Sequence, residues 1–202
     1  MLFRSTLSRN FQVEFLRPML GRSDIELILR SASTAELLRS LEALSLDIVL
    51  LDRAPARDAL TPFVAHRLAE QPVSLVGTPA RLCSSSKDLA ALLAAQPVLL
   101  PTADSEVRRG FDALMDRLGI RPQIAAEVED MAMLRLLARE DAGLAVLPPI
   151  VVRDEIAAGT LVEVEQLHGI TAGFYAITLN RRFPNPLLRE LLHGEVPLLQ
   201  SR

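Results

Sequence analysis

The sequence predicts an α/β fold, and three observations predict it. Short apolar runs of strand length alternate with segments whose apolar residues recur at helical spacing, the order that builds parallel sheets flanked by helices. Helix boundaries are written out: Ser33-Thr34-Ala35-Glu36 is a capping box, and Gly119 and Gly143 stand just past periodic segments. Residues 127–149, EVEDMAMLRLLAREDAGLAVLPP, spell a strand, a capped helix, a glycine stop and a second strand closed by Pro148-Pro149. In open α/β sheets the carboxyl ends of such strands are where ligands bind.

Each element follows in order. Residues 2–4 form the stub of a strand. A helix over residues 8–20 carries Phe11, Phe15, Leu16 and Met19 on one face, and Pro18 inside it predicts a kink. Residues 25–29 read as a strand, and the capping box opens a helix with Leu37, Leu38, Leu41 and Leu44. Residues 48–51 are the next buried strand, followed by a loop over 52–58, a helix over 62–70 and a strand over 73–76. Residues 89–95 read as a short helix and 98–100 as a strand. Residues 101–105 lead into an amphipathic helix that runs to Leu118 and stops at Gly119.

In the final third, residues 124–128, 144–147, 161–164 and 174–179 read as strands. Asp130 is the expected N-cap of a helix bearing Met131, Leu134, Leu137 and Ala138, with Gly143 as its left-handed stop. A terminal helix over 186–193 is opened by a permitted proline and ended by Gly194. Two similar α/β halves joined by crossing strands near 73–76 and 174–179 account for these elements better than one wide sheet.

Composition excludes several classes. The chain has 202 residues, 50% hydrophobic and 23% charged, enough for one large core or two modest ones. A net charge of −3 and the lack of any basic cluster longer than Arg108-Arg109 or Arg181-Arg182 leave it without the charge that nucleic-acid binding exploits. Cys83 is the single cysteine, so no internal disulfide forms, and a reducing cytoplasmic setting is expected. The N-terminal segment carries Arg4 and Arg9 without a following apolar run, and residues 89–100, the most apolar segment, are interrupted by Gln96-Pro97, so neither a signal peptide nor a membrane span is expected.

Enzymatic signatures are lacking. His66, His168 and His193 are scattered without metal spacing, no G-x-S-x-G elbow occurs, and nine dispersed glycines form no phosphate loop. Cys83 has only Lys87 nearby to activate it. The expectation is no catalysis, no metal and no cofactor.

Several stretches resemble a known family. FLRPML, residues 15–20, is similar to the proline-containing first helix of the effector-binding region of LysR-type transcriptional regulators, and residues 36–52 to their helix and leucine-aspartate strand. Residues 97–119 and 127–148, the latter with its AGLAVLP unit, are the most specific matches, and residues 174–192 resemble the return strand and last helix. Within the family, EDMAMLRLLARED and FYAIT, residues 174–178, look most like the subgroup that activates sodium/proton antiporter genes. The resemblance implies two Rossmann-like subdomains joined by two crossing strands, a periplasmic-binding-protein-like type 2 fold. Residues 1–73 with 177–202 would form one regulatory subdomain and 74–176 the other.

It also implies a small-molecule or ion effector between the subdomains and a homodimer formed through this domain. The helices near 36–44 and 104–118 are the expected contact elements. DNA is expected as a partner only through a helix-turn-helix that this sequence does not carry. A transporter's solute-binding protein, built on the same bilobal plan, is the alternative.

Helix starts with hydroxyls or carboxylates supply the candidate effector residues: Ser5, Thr6, Ser33, Thr34, Thr102, Asp104, Ser105, Glu129 and Asp130, with Pro148 as wall. Ser33, Thr34, Asp104 and Asp130 can each serve simply as caps, and Pro148-Pro149 can simply turn the chain. Free helix amides favour anions. Against that, Glu106, Glu127 and Glu129 add negative charge opposed only by Arg108 and Arg109, which raises the case for a cationic or neutral effector. Glu127 is also free to face solvent or pair with an arginine.

Overall fold

The computed structural model describes residues 2–3, 8–55, 62–82, 88–181 and 185–193. The chain divides into two compact units. The first takes in Phe11–Glu70 and the segment from Gly173 onward, the second Ser8–Asn10 and Gln71–Ala172. Ser5, Thr6, Cys83 and Gly194 lie outside the described residues.

In the first unit, β1 (Leu2–Phe3) pairs in parallel with β2 (Ile28–Leu29), a shorter strand than the five residues expected. The helix α1 (Arg9–Leu16) gives way to a 3-10 turn (Arg17–Met19) at Pro18, because a proline ring cannot continue the α-helical hydrogen-bond ladder. Phe11, Phe15, Leu16 and Met19 are buried, and Phe11 stacks on Phe174 with ring centroids 4.2 Å apart. In α2 (Thr34–Glu42) the capping box forms as written, and Leu37 and Leu41 are buried against β3 (Val49–Leu51). This strand pairs antiparallel with the end of β8 (Val162–Leu179), Val49 opposite Ile177 and Leu51 opposite Tyr175. The last helix of the described residues is α8 (Pro186–His193).

Two expectations are corrected. Residues 62–70 are not a helix but the first half of β4 (Phe63–Gly77). Ala65, Arg67, Leu68 and Glu70 favour a helix locally, yet tertiary pairing overrides propensity, and Pro72 denies a helix its ladder. The strands expected at 161–164 and 174–179 are one continuous β8, which passes Gly169 at φ 83° without ending.

The second unit contains α3 (Pro79–Leu82), α4 (Leu89–Ala95), β5 (Val98–Pro101), α5 (Glu106–Leu118), β6 (Ile124–Val128), α6 (Met131–Arg139), β7 (Leu144–Leu147), a 3-10 turn (Pro149–Val152) and α7 (Arg153–Ala157). β5 lies between β6 and β7 and is parallel to both, while β7 runs antiparallel to the end of β4. The order along the sheet is β3-β8-β4-β7-β5-β6. Every residue of β5 and β7 is buried, the signature of strands covered on both faces. Phe111, Leu114 and Met115 of α5 pack with Val98, Leu100, Leu144 and Val146, each fully buried large side chain contributing about 1.5–3 kcal/mol.

The helix stop before β7 is also corrected. Asp141, at φ 57°, takes the left-handed position that Gly143 was expected to hold. Gly143 is required for space instead: a Cβ there would fall 2.7 Å from the Pro97 carbonyl oxygen, which accepts from the Leu144 amide at 2.9 Å. Gly119 does adopt the left-handed conformation expected of it, at φ 66°.

Candidate functional site

Three parallel strands of the second unit end together. The register puts Pro101 beside Val128, and Val98 and Leu99 beside Leu144 and Ala145, so the residues that follow β5, β6 and β7 leave the sheet at one edge. Those residues are Thr102 to Ser105 after β5, Glu129 and Asp130 after β6, and Pro148 after β7. Parallel pairing brings together six of the residues singled out from sequence.

Their side chains are committed to different degrees. The Thr102 hydroxyl, half-buried, donates to Asp104 Oδ1 at 2.7 Å, and the Ser105 amide closes the turn on the Thr102 carbonyl at 3.0 Å. The N-cap of α5 is Ser105 and not Asp104, and its side chain makes no capping bond. The half-buried Ser105 hydroxyl thus stands at the start of the helix without a partner among the described residues. Asp130 caps α6, accepting from the Ala132 amide at 3.0 Å. Glu129 is exposed and has no partner among the described residues. Pro148 is buried and leads the 3-10 turn, with the Val151 amide bonded to its carbonyl at 3.0 Å.

The arginines expected to oppose this negative charge are already engaged. Arg109 pairs with Glu106 at 2.9 Å and donates to the Asp104 carbonyl at 3.0 Å. Arg108, its side chain only 11% exposed, pairs with Glu127 at 2.8 Å and with Asp112 at 2.9 Å. Burial works against the Arg108 charge, but the hydrogen bonds to Glu127 and Asp112 outweigh it and hold the guanidinium above its ordinary pKa. Glu127 is thus paired with a neighbour, Asp104 and Asp130 accept hydrogen bonds from Thr102 and the Ala132 amide, and Glu129 has no partner among the described residues.

In the first unit, Ser33 is occupied. Its hydroxyl and amide both donate to Glu36 Oε2, at 2.7 and 2.8 Å, and the hydroxyl accepts from the Glu36 amide at 3.4 Å. Thr34 is the exposed first residue of α2.

Three further polar residues of the second unit were not singled out from sequence. Ser74 is fully buried opposite Leu147 and donates to Glu163 Oε1 at 2.6 Å; its signal was a lone serine in an apolar strand. Ser8 is 1% exposed ahead of α1. Asn10 donates to the Ile150 carbonyl at 3.0 Å, bringing the start of α1 to the turn that follows Pro148. The set can donate and accept hydrogen bonds and hold charge. Among the described residues, no three His, Cys, Asp or Glu side chains are grouped to hold a metal ion, and no helix is long and apolar enough to cross a membrane.

Comparisons with known proteins bear on the family and the fold. The model of the LysR substrate binding domain family matches residues 9–193. No curated protein sequence matches the chain significantly. Solved structures do: the regulatory domain of HypT from Salmonella typhimurium is 17% identical with a TM-score of 0.71, covering 94% of this chain and 89% of that one. The effector binding domain of QuiR in complex with shikimate is 16% identical with a TM-score of 0.66, covering 94% and 90%. The CcmR regulatory domain of Synechocystis PCC6803 in complex with 2-PG is 13% identical with a TM-score of 0.67, covering 99% and 96%.

Proposed function

This chain belongs to the LysR substrate binding domain family, and from that premise we propose that it senses its effector at the strand-end edge of the second unit. One observation carries the reading: Thr102, Ser105, Glu129, Asp130 and Pro148 leave three parallel strands side by side, with the Ser105 hydroxyl and the Glu129 carboxylate uncommitted. The effector is a small polar molecule or ion. The QuiR domain takes shikimate and the CcmR domain 2-PG, so the family's fold accommodates small acids. The carboxylates of this edge favour a cation or a neutral ligand instead.

A finer reading rests on sequence resemblance. EDMAMLRLLARED and the strand at 174–178 support a place in the subgroup that activates sodium/proton antiporter genes. Residues 1–73 with 177–202 and residues 74–176 are the proposed regulatory subdomains. The domain works as a homodimer in a DNA-binding regulator; beside the helices near 36–44 and 104–118 expected from sequence, α6 is proposed as a further contact element, since its Met133 and Leu136 are 47% and 46% exposed.

The test is calorimetric titration with sodium, lithium, shikimate, 2-PG and bromide, on the unaltered chain, Ser105→Ala and Glu129→Gln. Saturable binding of one ligand, weakened by either substitution at unchanged melting temperature, supports the reading. Binding indifferent to both substitutions overturns it.

A further inference from the structure

Arg108 adds a side-chain tie between two turns that the β5–β6 pairing already places side by side. Its Nη1 donates both to the Pro101 carbonyl at 3.3 Å and to Glu127 Oε1 at 2.8 Å, while Nε is held by both oxygens of Asp112 at 2.9 and 3.0 Å. Pro101 is the last residue of β5 and immediately precedes Thr102. Glu127 is the penultimate residue of β6, two places before Glu129. Asp112 lies one helical turn along α5, whose Val107, Phe111, Leu114 and Met115 are buried in the core. The guanidinium is therefore anchored to the helix through Nε and grips the ends of two strands through one nitrogen. Its planar fork suits this, since a lysine ammonium offers a point charge without fixed donor directions.

We propose that Arg108 is the positioning residue of the strand-end edge, fixing the spacing between the turn of Thr102 to Ser105 and the turn of Glu129 and Asp130. Nε and Nη1 are both turned to this chain's own carbonyl and carboxylates, so these two nitrogens are not offered to an anionic effector. What the edge binds rests on the effector reading above; the positioning role does not, and its test uses no effector. An effector that touches one turn is then coupled to the other through this side chain as well as through the β5–β6 pairing.

The experiment is amide hydrogen exchange in deuterium oxide, read by mass spectrometry on the whole chain, for Arg108→Met, Arg108→Lys and Glu127→Gln. Charge-assisted hydrogen bonds to a partly buried group hold local opening down, so their loss raises exchange where they acted. Arg108→Met should speed exchange in both turns on the order of ten-fold, with β7 unchanged. Glu127→Gln should speed it after β6 only, leaving the turn after β5 protected by the remaining Pro101 contact. Arg108→Lys, which keeps the charge and guards against a misfolded methionine variant, should protect one turn at most. Unchanged exchange in both turns, an equal rise in β7, or symmetric loosening by Glu127→Gln overturns the proposal.

Discussion

Arg135 and Glu155 form a charged pair that is mostly out of water: Nε donates to Oε1 at 2.6 Å, with the glutamate side chain 6% and the arginine 27% exposed. The pair joins α6 to α7, and Oε2 of Glu155 accepts no hydrogen bond from any described group. A buried charge stripped of its partner costs about 3–5 kcal/mol, and the partial exposure of Arg135 moves this pair to the low end of that range. Arg135→Met should therefore destabilise strongly, Glu155→Gln less, and Arg135→Met with Glu155→Leu should recover most of the loss. Urea unfolding of the three variants measures it; a double variant no better than Arg135→Met would contradict it.

The caps separate stability from sensing. Asp130→Ala should cost about 0.5–2 kcal/mol through the lost bond to the Ala132 amide. Asp130→Asn keeps a capping oxygen, so it should retain most stability while weakening binding of a cation. Ser33→Ala should cost a similar amount and leave binding untouched, since its hydroxyl is spent on Glu36. Thermal unfolding with and without sodium checks all three.

Glycines in this chain fail for different reasons when replaced. Gly143→Ala meets the Pro97 carbonyl oxygen and forces the start of β7 away from β5, a steric cost of roughly 1–3 kcal/mol. Gly159→Ala meets nothing within 4 Å but must hold φ 71°, a backbone cost of about 1–2 kcal/mol. Gly159→Asn should recover part of that loss because asparagine tolerates the left-handed region, whereas Gly143→Asn should be worse than Gly143→Ala.

Acid should loosen the second unit through Asp141. The Thr78 hydroxyl at 2.6 Å and Arg81 at 2.6 Å hold its carboxyl below the ordinary aspartate value, with burial opposing them. Because the folded value is the depressed one, its stabilisation is complete above the ordinary 3.8 and is lost as pH falls through the lower folded value. Asp141→Asn should flatten the fall in unfolding midpoint between about pH 5 and about pH 2. An unchanged acid slope would count against it.

The homodimer reading is tested on α6. Met133 and Leu136 lie three residues apart on its exposed face, a spacing that makes them neighbours. Leu136→Glu should yield a monomer by light scattering at tens of micromolar with little change in melting temperature. A monomer before substitution would refute the reading.

The sequence carried elements with strong local signals and missed those decided at a distance. The capping box at Ser33, the cap at Asp130, the stop at Gly119 and the buried runs of β5 and β7 each announce themselves within a few residues. β4 does not, because its first half is built from helix-favouring residues and becomes a strand only by pairing elsewhere in the chain. The candidate edge was legible as a list of helix starts, since parallel strands deliver their following loops to one side. What sequence could not supply was occupancy. That Arg108 is already held, Ser33 already spent and Ser105 uncommitted depends on contacts between residues whose mutual distance no periodicity encodes.

The long strand β8 has a consequence for the order in which a growing chain can fold. The second unit is written almost entirely by Ala172, whereas the first needs what comes after it: Thr178 to meet His66 across 112 residues, and Arg181 to meet the Leu46 carbonyl across 135. During synthesis the inner unit can close while Leu37, Leu41, Val49 and Leu51 still await Ile177. Closing such long loops is slow, and the waiting apolar face is exposed meanwhile. The first unit is therefore where a nascent chain is most open to aggregation and to chaperones.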